Sequence, residues 1–281
     1  MEKKSADIFA ELRSDAPLVL VGAGKMGGAM LSGWLKRGLN PKAVRVIDPS
    51  PPEDSAALLA RSGVSASAEP TGGLEARVLV TAVKPQVMDA VLPTLRHLVG
   101  RRTVILSIAA GTPIARLEAG LGAAAIVRAM PNTPGQIGRG VTVAVANAHL
   151  DSEGRALVTA LLEALGKVAW VDRESLLDAV TAVSGSGPAY VFLLTEYLAE
   201  AGEACGLPSD LAALLARETV AGAGELLNQS DAPPAVLRQN VTSPGGTTAA
   251  ALHVLMADDG LKRLLERAVE AARKRSEELG G

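Results

Sequence analysis

A glycine-rich turn between an apolar strand and a helix constrains this chain more than any other feature. The segment Leu18–Val21 runs directly into Gly22-Ala23-Gly24-Lys25-Met26-Gly27, and a helical pattern follows over residues 28–37. In a G-x-G-x-x-G turn, the first glycine permits the tight bend, the second lets a pyrophosphate approach the backbone, and the third lets helix and strand pack closely. The sequence therefore predicts a strand, turn and helix that can bind a dinucleotide.

Further apolar segments extend this unit into an α/β domain. Helical patterns over 53–61 and 86–98 separate some of the strand-like segments, which occupy residues 43–48, 77–83, 103–107, 124–128, 141–145 and 167–171. Apolar strands separated by helices indicate a parallel sheet that is covered on both faces. Residues 1–172 are thus predicted to form a doubly wound, Rossmann-type dinucleotide-binding domain, in which residues 1–17 are a solvated extension.

After Asp172 the strand patterns stop and helical periodicity continues. Helices are predicted over residues 174–183, 189–205, 209–227, 247–256 and 261–279. The stretch 212–224 is apolar around much of its circumference, so it needs burial on more than one side. Residues 173–281 are predicted to be an all-helical domain, and its excess of apolar surface predicts an oligomer.

Composition excludes several classes of function. A net charge of −2 and an aromatic content of 2% do not suit nucleic acid, which is usually bound by basic stripes and stacking rings.

The lone cysteine, Cys205, permits no intrachain disulfide and fits a reducing compartment, so a cytoplasmic protein is expected. We find no apolar run of the ~18 residues that a membrane helix needs, since the best candidate is broken at Thr195-Glu196. The charged N-terminal segment resembles neither a secretory nor a transit peptide, and a soluble protein is expected.

An acidic residue ends the second predicted strand. Asp48 lies about twenty positions beyond Gly27, where a carboxylate can hydrogen-bond the adenine ribose and repel a 2′-phosphate. Taken alone, this favours NADH over NADPH. The Ser50 hydroxyl and its neighbouring backbone remain able to hold a phosphate, and an aspartate before Pro49 is also an ordinary turn residue. The cofactor is therefore predicted to be NADPH or NADH.

Two more loops follow predicted strands at the sheet edge where such domains bind ligands. They are Ala82-Val83-Lys84-Pro85 and, after Ser107, Ile108-Ala109-Ala110. Their small residues let a dinucleotide lie against the backbone. Lys84 can approach a phosphate or a ribose, although a solvated lysine is an equally good interpretation.

A loop near the C-terminus has the composition of an anion site. Residues 240–248 read NVTSPGGTT and precede a helical pattern that ends near Met256. Free N–H groups at the positive end of a helix dipole bind small anions such as a carboxylate. The alternative interpretation is a helix that is capped by threonine after a Pro-Gly turn.

These loops closely resemble those of pyrroline-5-carboxylate reductase. The same is true of residues 128–134 (RAMPNTP) and 182–190 (AVSGSGPAY). The resemblance runs from about Leu18 to Glu278 with natural spacing. It implies NAD(P)H-dependent reduction of the cyclic imine 1-pyrroline-5-carboxylate to L-proline, the last step of proline biosynthesis. It also implies that the second domain mediates dimerisation and that homodimers assemble further, for example into a decamer.

The resemblance carries roles for individual residues. Asp48 stands where many relatives have a small hydroxyl residue, and Glu69 falls near an asparagine that touches the adenosine in some, so both departures concern cofactor preference rather than activity. Substrate contacts are implied at Glu174, Thr247 and Thr248, to which the anion-loop argument adds Ser243, Gly245 and Gly246. Cofactor contacts are implied at Val21, Gly22, Ala23, Gly24, Lys25, Met26, Gly27, Ala82, Val83, Lys84, Pro85, Ile108, Ala109, Ala110 and Asn240, to which the ribose argument adds Asp48 and Ser50.

The implied chemistry suits a chain without an evident catalytic base. The histidines His97, His149 and His253 are scattered, and the sequence suggests no metal-ligand, Ser-His-Asp or paired-carboxylate cluster, so no metal is expected. A protonated cyclic imine accepts hydride without a Lewis acid, so the protein mainly has to orient it. Thr248 is the candidate catalytic residue, because its hydroxyl can hydrogen-bond the ring nitrogen and help to supply its proton.

Two other interpretations stay open. A β-hydroxyacid dehydrogenase, or another imine reductase of this architecture, is one, but those dehydrogenases use a lysine in the second domain and residues 176–227 contain none. A nucleotide-sensing oligomer without catalysis is the other, and it would bind NADH without turning over an imine. The complete loop over residues 243–248 favours an enzyme.

Overall fold

The structure, a computed structural model, describes residues 9–70 and 73–280. Its internal contacts divide the chain into two compact units. The first unit contains the residues up to Gly185 together with the C-terminal residues from Arg273 onward, and the second is Ser186–Ala272. The first unit holds the sheet, and the second unit is helical.

Eight strands form one sheet in the described part of the first unit. In chain order they are β1 (Leu18–Val21), β2 (Val44–Ile47), β3 (Ser65–Ser67), β4 (Val78–Thr81), β5 (Val104–Ser107), β6 (Ala125–Met130), β7 (Gly140–Ala146) and β8 (Gly166–Trp170). Their order across the sheet is β3-β2-β1-β4-β5-β6-β7-β8. Neighbouring strands are parallel except β6 and β7.

Helices connect and cover these strands. Those before Gly185 are α1 (Lys25–Lys36), α2 (Glu53–Ser62), α3 (Met88–Leu95), α4 (Ile114–Leu121), α5 (Ser152–Leu162) and the short α6 (Leu176–Val180). Those that follow are α7 (Gly187–Ala204), α8 (Ser209–Gln229), α9 (Pro234–Asn240), α10 (Thr247–Leu255) and α11 (Leu261–Gly280). The last turns of α11 belong to the first unit, where Ser276 Oγ donates to Asp178 Oδ1 at 2.7 Å.

Both faces of the sheet are buried, as predicted for a doubly wound domain. Side chains alternate along a strand, so Leu18 and Leu20 lie on one face of β1, and Val19 and Val21 lie on the other. The first pair belongs to an apolar cluster with residues of α1 and α5, and the second pair belongs to a cluster with residues of α3 and α4. The predicted Rossmann-type fold is therefore confirmed.

The direction of β7 corrects the prediction of a wholly parallel sheet. Residues 131–139 connect β6 to β7 and contain a single 3₁₀ segment, Thr133–Ile137. A parallel crossover needs about a dozen residues or more, usually with a helix, so this short connection returns the chain antiparallel. The longer connection through α5 then places β8 parallel to β7.

The sequence patterns do not predict three elements of the first unit. Strand β3 has no apolar side chain larger than alanine and is formed by pairing along β2, where Arg45 lies opposite Ser65. Helices α4 and α5 are also missed. The start of α5 carries a signal that identifies it, because the Asp151 side chain caps the helix by accepting from the Gly154 N–H at 2.7 Å.

The prediction of a solvated N-terminal extension is wrong for the part that the structure describes. Residues 1–8 lie outside that part. Phe9 and Leu12 are each 4% exposed and belong to the first apolar cluster. Glu11 Oε2 accepts from the Nη2 atom of the buried Arg77 at 3.0 Å. The segment from Phe9 is thus part of the domain.

The segment after β8 shows why the compact units divide at Gly185, whereas the sequence patterns change at Asp172. Leu177 in α6 is fully buried in the second apolar cluster of the sheet domain. A π-helical turn, Thr181–Gly185, follows α6 before the helical unit begins. The first helix after the last strand is therefore folded with the sheet, although its sequence pattern resembles that of the helices beyond it.

The helical segment Leu176–Ala204 corrects one expectation from the sequence. Its length, and a mean hydropathy of 1.3 over an 18-residue window within it, are sufficient for a membrane span, and 11% of that window is buried in the single chain. The expectation that no segment reaches this length and composition is therefore wrong. One such segment is weak evidence of a membrane protein, since long apolar helices of soluble proteins pass the same test.

A stability prediction follows from the contact between α1 and α5. The fully buried Trp34 donates from its indole Nε1 to the Leu161 carbonyl at 2.8 Å. Trp34→Phe should lower the free energy of unfolding by roughly 2 kcal/mol, through the lost hydrogen bond and the vacated volume. The half-buried Trp170 donates to Thr159 Oγ1 at 3.1 Å and serves as the control, for which Trp170→Phe should cost less than about 1 kcal/mol. Urea denaturation measures both, and equal losses would contradict the assignment.

Candidate functional site

Strand register aligns the loops that the sequence singled out. Val21 lies opposite Ile47 on one side and Thr81 on the other, and Thr81 lies opposite Ser107. Because the four strands are parallel, the residues that follow them lie along one edge of the sheet. The turn after β1, Asp48, the Ala82 loop and the Ile108 loop are thus brought together. This is the carboxyl edge at which open α/β sheets bind their ligands.

Glycine is required at position 22 by both conformation and space. Gly22 has a φ of 94°, and its N–H donates to the Ile47 carbonyl at 2.9 Å. A Cβ at this position would lie 2.8 Å from the Ala82 carbonyl oxygen. A side chain here would therefore be strained and would push the two neighbouring loops apart.

Gly24 and Gly27 serve different purposes at the start of α1. A Cβ at Gly27 would lie 2.1 Å from the Gly22 carbonyl oxygen, so helix and turn can pack only without a side chain. A Cβ at Gly24 would meet nothing within 4 Å. Gly24 is the N-cap of α1 and provides no side-chain cap.

The start of α1 fits a dinucleotide pyrophosphate. The first intrahelical bond runs from the Gly28 N–H to the Gly24 carbonyl at 2.7 Å. Within the described residues, the N–H groups of Lys25, Met26 and Gly27 have no acceptor. Free donors at the positive end of the helix, with open space at Gly24, suit a bound phosphate group.

Asp48 is fixed by the turn that it faces. Its Oδ2 accepts from the Ala23 N–H at 2.7 Å, and its Oδ1 accepts from the Ser50 N–H at 2.8 Å. The Ala23 carbonyl in turn accepts from Ser55 Oγ, at the start of α2, at 2.6 Å. The carboxylate therefore has one orientation, next to the glycine turn and at the end of β2.

The loops after β4 and β5 approach the same edge through their backbones. The Ala82 N–H donates to the Val21 carbonyl at 2.8 Å, and the Ile108 N–H donates to the Thr81 carbonyl at 3.1 Å. The Ala109 N–H donates to Ser107 Oγ at 3.4 Å, while Lys84 is exposed. Pro85 begins a 3₁₀ turn. Val83 lies in the loop after β4, and Ala110 lies in the loop after β5.

Glu174 is held by a residue that sequence reasoning missed. Its Oε1 accepts from Arg128 Nη1 at 2.8 Å and from the Ile114 N–H, at the start of α4, at 2.9 Å. Arg128 lies on β6 and is 7% exposed, whereas the side chain of Glu174 is 31% exposed. The signal in the sequence is an arginine within an apolar strand, since a buried arginine needs a partner.

The second oxygen of Glu174 is available. Oε2 has no hydrogen-bond partner among the residues that the structure describes. The arrangement gives a carboxylate with one oxygen fixed by the protein and one oxygen free to bind a ligand.

The loop over residues 243–248 is built as a helix N-terminus in the second unit. Gly245 has a φ of 68°, which favours glycine, and Gly246 is the N-cap of α10 without a side-chain cap. The interpretation as a threonine-capped helix is therefore wrong. Asn240, predicted to contact the cofactor, is the last residue of α9.

The hydrogen bonds of this loop refine the set of donors that the sequence predicted. The Gly246 N–H donates to the Ser243 carbonyl at 3.1 Å, so it is used within the loop. In the described part of the chain, the N–H groups of Gly245, Thr247 and Thr248 have no acceptor. Thr247 is exposed, Thr248 is half-buried, and neither hydroxyl makes a hydrogen bond to a described residue.

These groups are not accompanied by a metal site in the described part of the chain. Among residues 9–70 and 73–280, no group of three His, Cys, Asp or Glu side chains is placed to hold a metal ion. The dinucleotide edge and Glu174 belong to the first unit, and Asn240 and the 243–248 loop belong to the second. The structure thus presents a glycine turn at the carboxyl edge of the sheet, a fixed carboxylate and, in the second unit, a helix start with free N–H groups.

The two glycines at the start of α1 give a prediction with a built-in control. Gly24→Ala should weaken NADH binding at least tenfold, because its methyl group enters the open space next to the free N–H groups. Its Tm should change by less than about 2 °C, since φ is −63° and no atom is displaced. Gly27→Ala should instead lower Tm by several degrees. Calorimetric titration and thermal unfolding distinguish the two, and a large loss of stability in Gly24→Ala would refute the assignment.

Two family models match the chain. The model described as pyrroline-5-carboxylate reductase dimerisation matches residues 174–279. The model described as NADP oxidoreductase coenzyme F420-dependent matches residues 17–111, which contain the glycine turn. The first match begins at Glu174, close to the end of the last strand.

Whole-chain comparisons extend these matches. A pyrroline-5-carboxylate reductase from Pseudomonas aeruginosa is 40% identical over 265 residues, which cover 93% of this chain and 96% of the relative. The structure of a pyrroline-5-carboxylate reductase from Coxiella burnetii has a TM-score of 0.88 at 35% identity, over 95% of this chain and 99% of the other. The crystal structure of pyrroline carboxylate reductase from Plasmodium falciparum with NADP bound has a TM-score of 0.80 at 29% identity, over 96% and 100%. The chain belongs to the pyrroline-5-carboxylate reductase family.

Proposed function

We propose that this protein catalyses the NAD(P)H-dependent reduction of 1-pyrroline-5-carboxylate to L-proline, the last step of proline biosynthesis. The observation that carries the proposal is the uncapped start of α10, whose free N–H groups suit a substrate carboxylate. The dinucleotide edge of the first unit supports it, because a reductase must bind its hydride donor. The names of the relatives, which match 93% and 95% of this chain, point to the same reaction.

Binding of the substrate carboxylate falls to the backbone. The N–H groups of Gly245, Thr247 and Thr248 are its donors, since that of Gly246 is already used. They lie at the positive end of a nine-residue helix, which adds to the attraction. The Ser243 hydroxyl lies next to this helix start, since a Cβ added at Gly246 would stand 2.5 Å from Ser243 Oγ. It supplies a further polar group.

The ring nitrogen is the second point of recognition. The Thr248 hydroxyl hydrogen-bonds it and helps to keep it protonated, which makes the neighbouring carbon a better hydride acceptor. Glu174, whose Oε2 is free within the described chain, is a further candidate contact for the substrate. A bound reduced nicotinamide supplies the hydride. The protein's contribution is therefore orientation and charge, without a metal or a covalent intermediate.

Assembly and location belong to the same proposal. The family model that covers residues 174–279 is a dimerisation model, and α7 and α8 expose large apolar side chains such as Phe192, Tyr197 and Leu214. Such a surface is unusual for a monomer. We infer a homodimer that assembles further, for example into a decamer, and a cytoplasmic protein whose apolar helices are covered by other subunits rather than by a membrane.

The direct test is the initial rate of NADH and NADPH oxidation by the purified protein with 1-pyrroline-5-carboxylate. Turnover with either nucleotide supports the proposed function. Binding of a nucleotide with no turnover by either would instead identify a nucleotide-sensing oligomer or a reductase for another small substrate.

Thr248 gives the first prediction on activity. Thr248→Ala should lower kcat at least tenfold, because the hydroxyl contacts the reacting imine, with little change in Tm, because this hydroxyl has no partner in the described chain. Thr248→Ser keeps the hydroxyl and should retain most of the rate. An unchanged kcat in Thr248→Ala would remove Thr248 from the mechanism.

Arg128 gives the second prediction on activity. It is a positioning residue, because it acts through Glu174. Arg128→Lys keeps the charge but loses the geometry of the guanidinium, so KM for the imine should rise about tenfold. The NADH Kd should stay within about twofold, because Glu174 is not assigned to the nucleotide. Arg96→Lys is the control, since Arg96 is exposed and bonds only backbone carbonyls. Equal changes in imine KM and NADH Kd would indicate a general structural role.

A further inference from the structure

The β2–α2 connection follows Asp48, and its backbone N–H groups are already used within the protein. Residues 48–52 read Asp-Pro-Ser-Pro-Pro. Pro49, Pro51 and Pro52 have no N–H, and the Ser50 N–H is already donated to Asp48 Oδ1 at 2.8 Å. This loop therefore has no free backbone donor for a phosphate at the end of β2.

The charges around this loop also disfavour a bound phosphate. Between Arg45 and Arg61 the chain has no Lys or Arg, and α2 begins with Glu53 and Asp54. Arg61 lies in the last turn of α2, about 12 Å along the helix from its first residue. The exposed Glu69 follows β3, the neighbour of β2. A 2′-phosphate at this edge would therefore face carboxylates, and residues 46–60 contain no Lys or Arg to offset them.

Asp48 cannot rotate away from such a phosphate without loss. Both of its oxygens accept backbone N–H groups, from Ala23 in the glycine turn and from Ser50. A carboxylate that accepts two hydrogen bonds still has lone pairs for two ribose hydroxyls. Moving it would leave the Ala23 N–H unpaired at a residue that is fully buried.

We propose that this reductase is specific for NADH over NADPH and that Asp48 is the residue that sets this preference. The carboxylate, anchored on the glycine turn, accepts hydrogen bonds from the 2′- and 3′-hydroxyls of the adenine ribose and repels a 2′-phosphate. The Ser50 hydroxyl does not compensate, because residues 48–52 offer no free N–H. The free N–H groups that follow, at the start of α2, belong to Glu53, Asp54 and Ser55, and two of these residues carry carboxylates. This inference rests on the proposed function and deepens it by naming the hydride donor.

The test measures nucleotide binding without substrate. Isothermal titration of the full-length protein should give an NADPH Kd at least tenfold weaker than the NADH Kd. Asp48→Ser should reduce this ratio at least tenfold. Asp48→Asn removes the charge with nearly the same shape and should also reduce the ratio, which keeps the test valid if the serine variant is unstable. Asp15→Ser is the control, because Asp15 is an exposed aspartate that pairs with Arg13 away from this edge, and its ratio should stay within twofold of wild type.

The outcomes separate this inference from the reaction. Equal or tighter binding of NADPH by the wild-type protein would overturn it, as would an unchanged ratio in both Asp48 variants. Imine turnover with NADPH in preference to NADH would overturn it while leaving the proposed reaction in place. Preferential NADH binding without imine turnover would leave the assignment of Asp48 in place and overturn the reaction.

Discussion

The contact between Gly27 and the carbonyl of Gly22 is the constraint on which the nucleotide edge depends. A Cβ at Gly27 would lie 2.1 Å from that oxygen, so the first turn of α1 can reach the end of β1 only because it has no side chain there. This closeness aims the free N–H groups of α1 over the carboxyl edge of the sheet. Register then places the other loops, since β2, β4 and β5 all run parallel to β1 or to its neighbour.

Once the turn is placed, Asp48 connects it to the second strand. The bond from the Ala23 N–H to Asp48 Oδ2 links residues of two different βα connections, and the bond from Ser55 Oγ to the Ala23 carbonyl links the same residue to α2. Ala23 in the glycine turn is thus fixed through both its N–H and its carbonyl. In the proposed binding of NADH, Asp48 combines this structural role with recognition of the ribose.

Much of this could be predicted from local sequence, and the failures have physical causes. The turn at Gly22–Gly27 and the apolar strands are local signals, and they gave the fold and the edge at which the loops meet. The antiparallel β7 depends on a connection too short for a crossover, and β3 depends on pairing with β2 rather than on its own side chains. Arg128 depends on a partner 46 residues away, Glu174, which no local pattern reveals. The burial of Phe9 likewise results from tertiary packing of a segment whose neighbours are charged.

Glycine starts both helices assigned to anion binding, but the two positions need it for opposite reasons. At Gly24 a Cβ would meet nothing within 4 Å, so the absence of a side chain leaves space for a ligand. At Gly246 a Cβ would lie 2.5 Å from Ser243 Oγ, so the absence of a side chain leaves space for that hydroxyl. A capping side chain, as Asp151 provides for α5, would occupy the donors that a ligand requires. The first is therefore a helix start with open space beside its free N–H groups, whereas the second is a helix start whose own loop places a hydroxyl beside them.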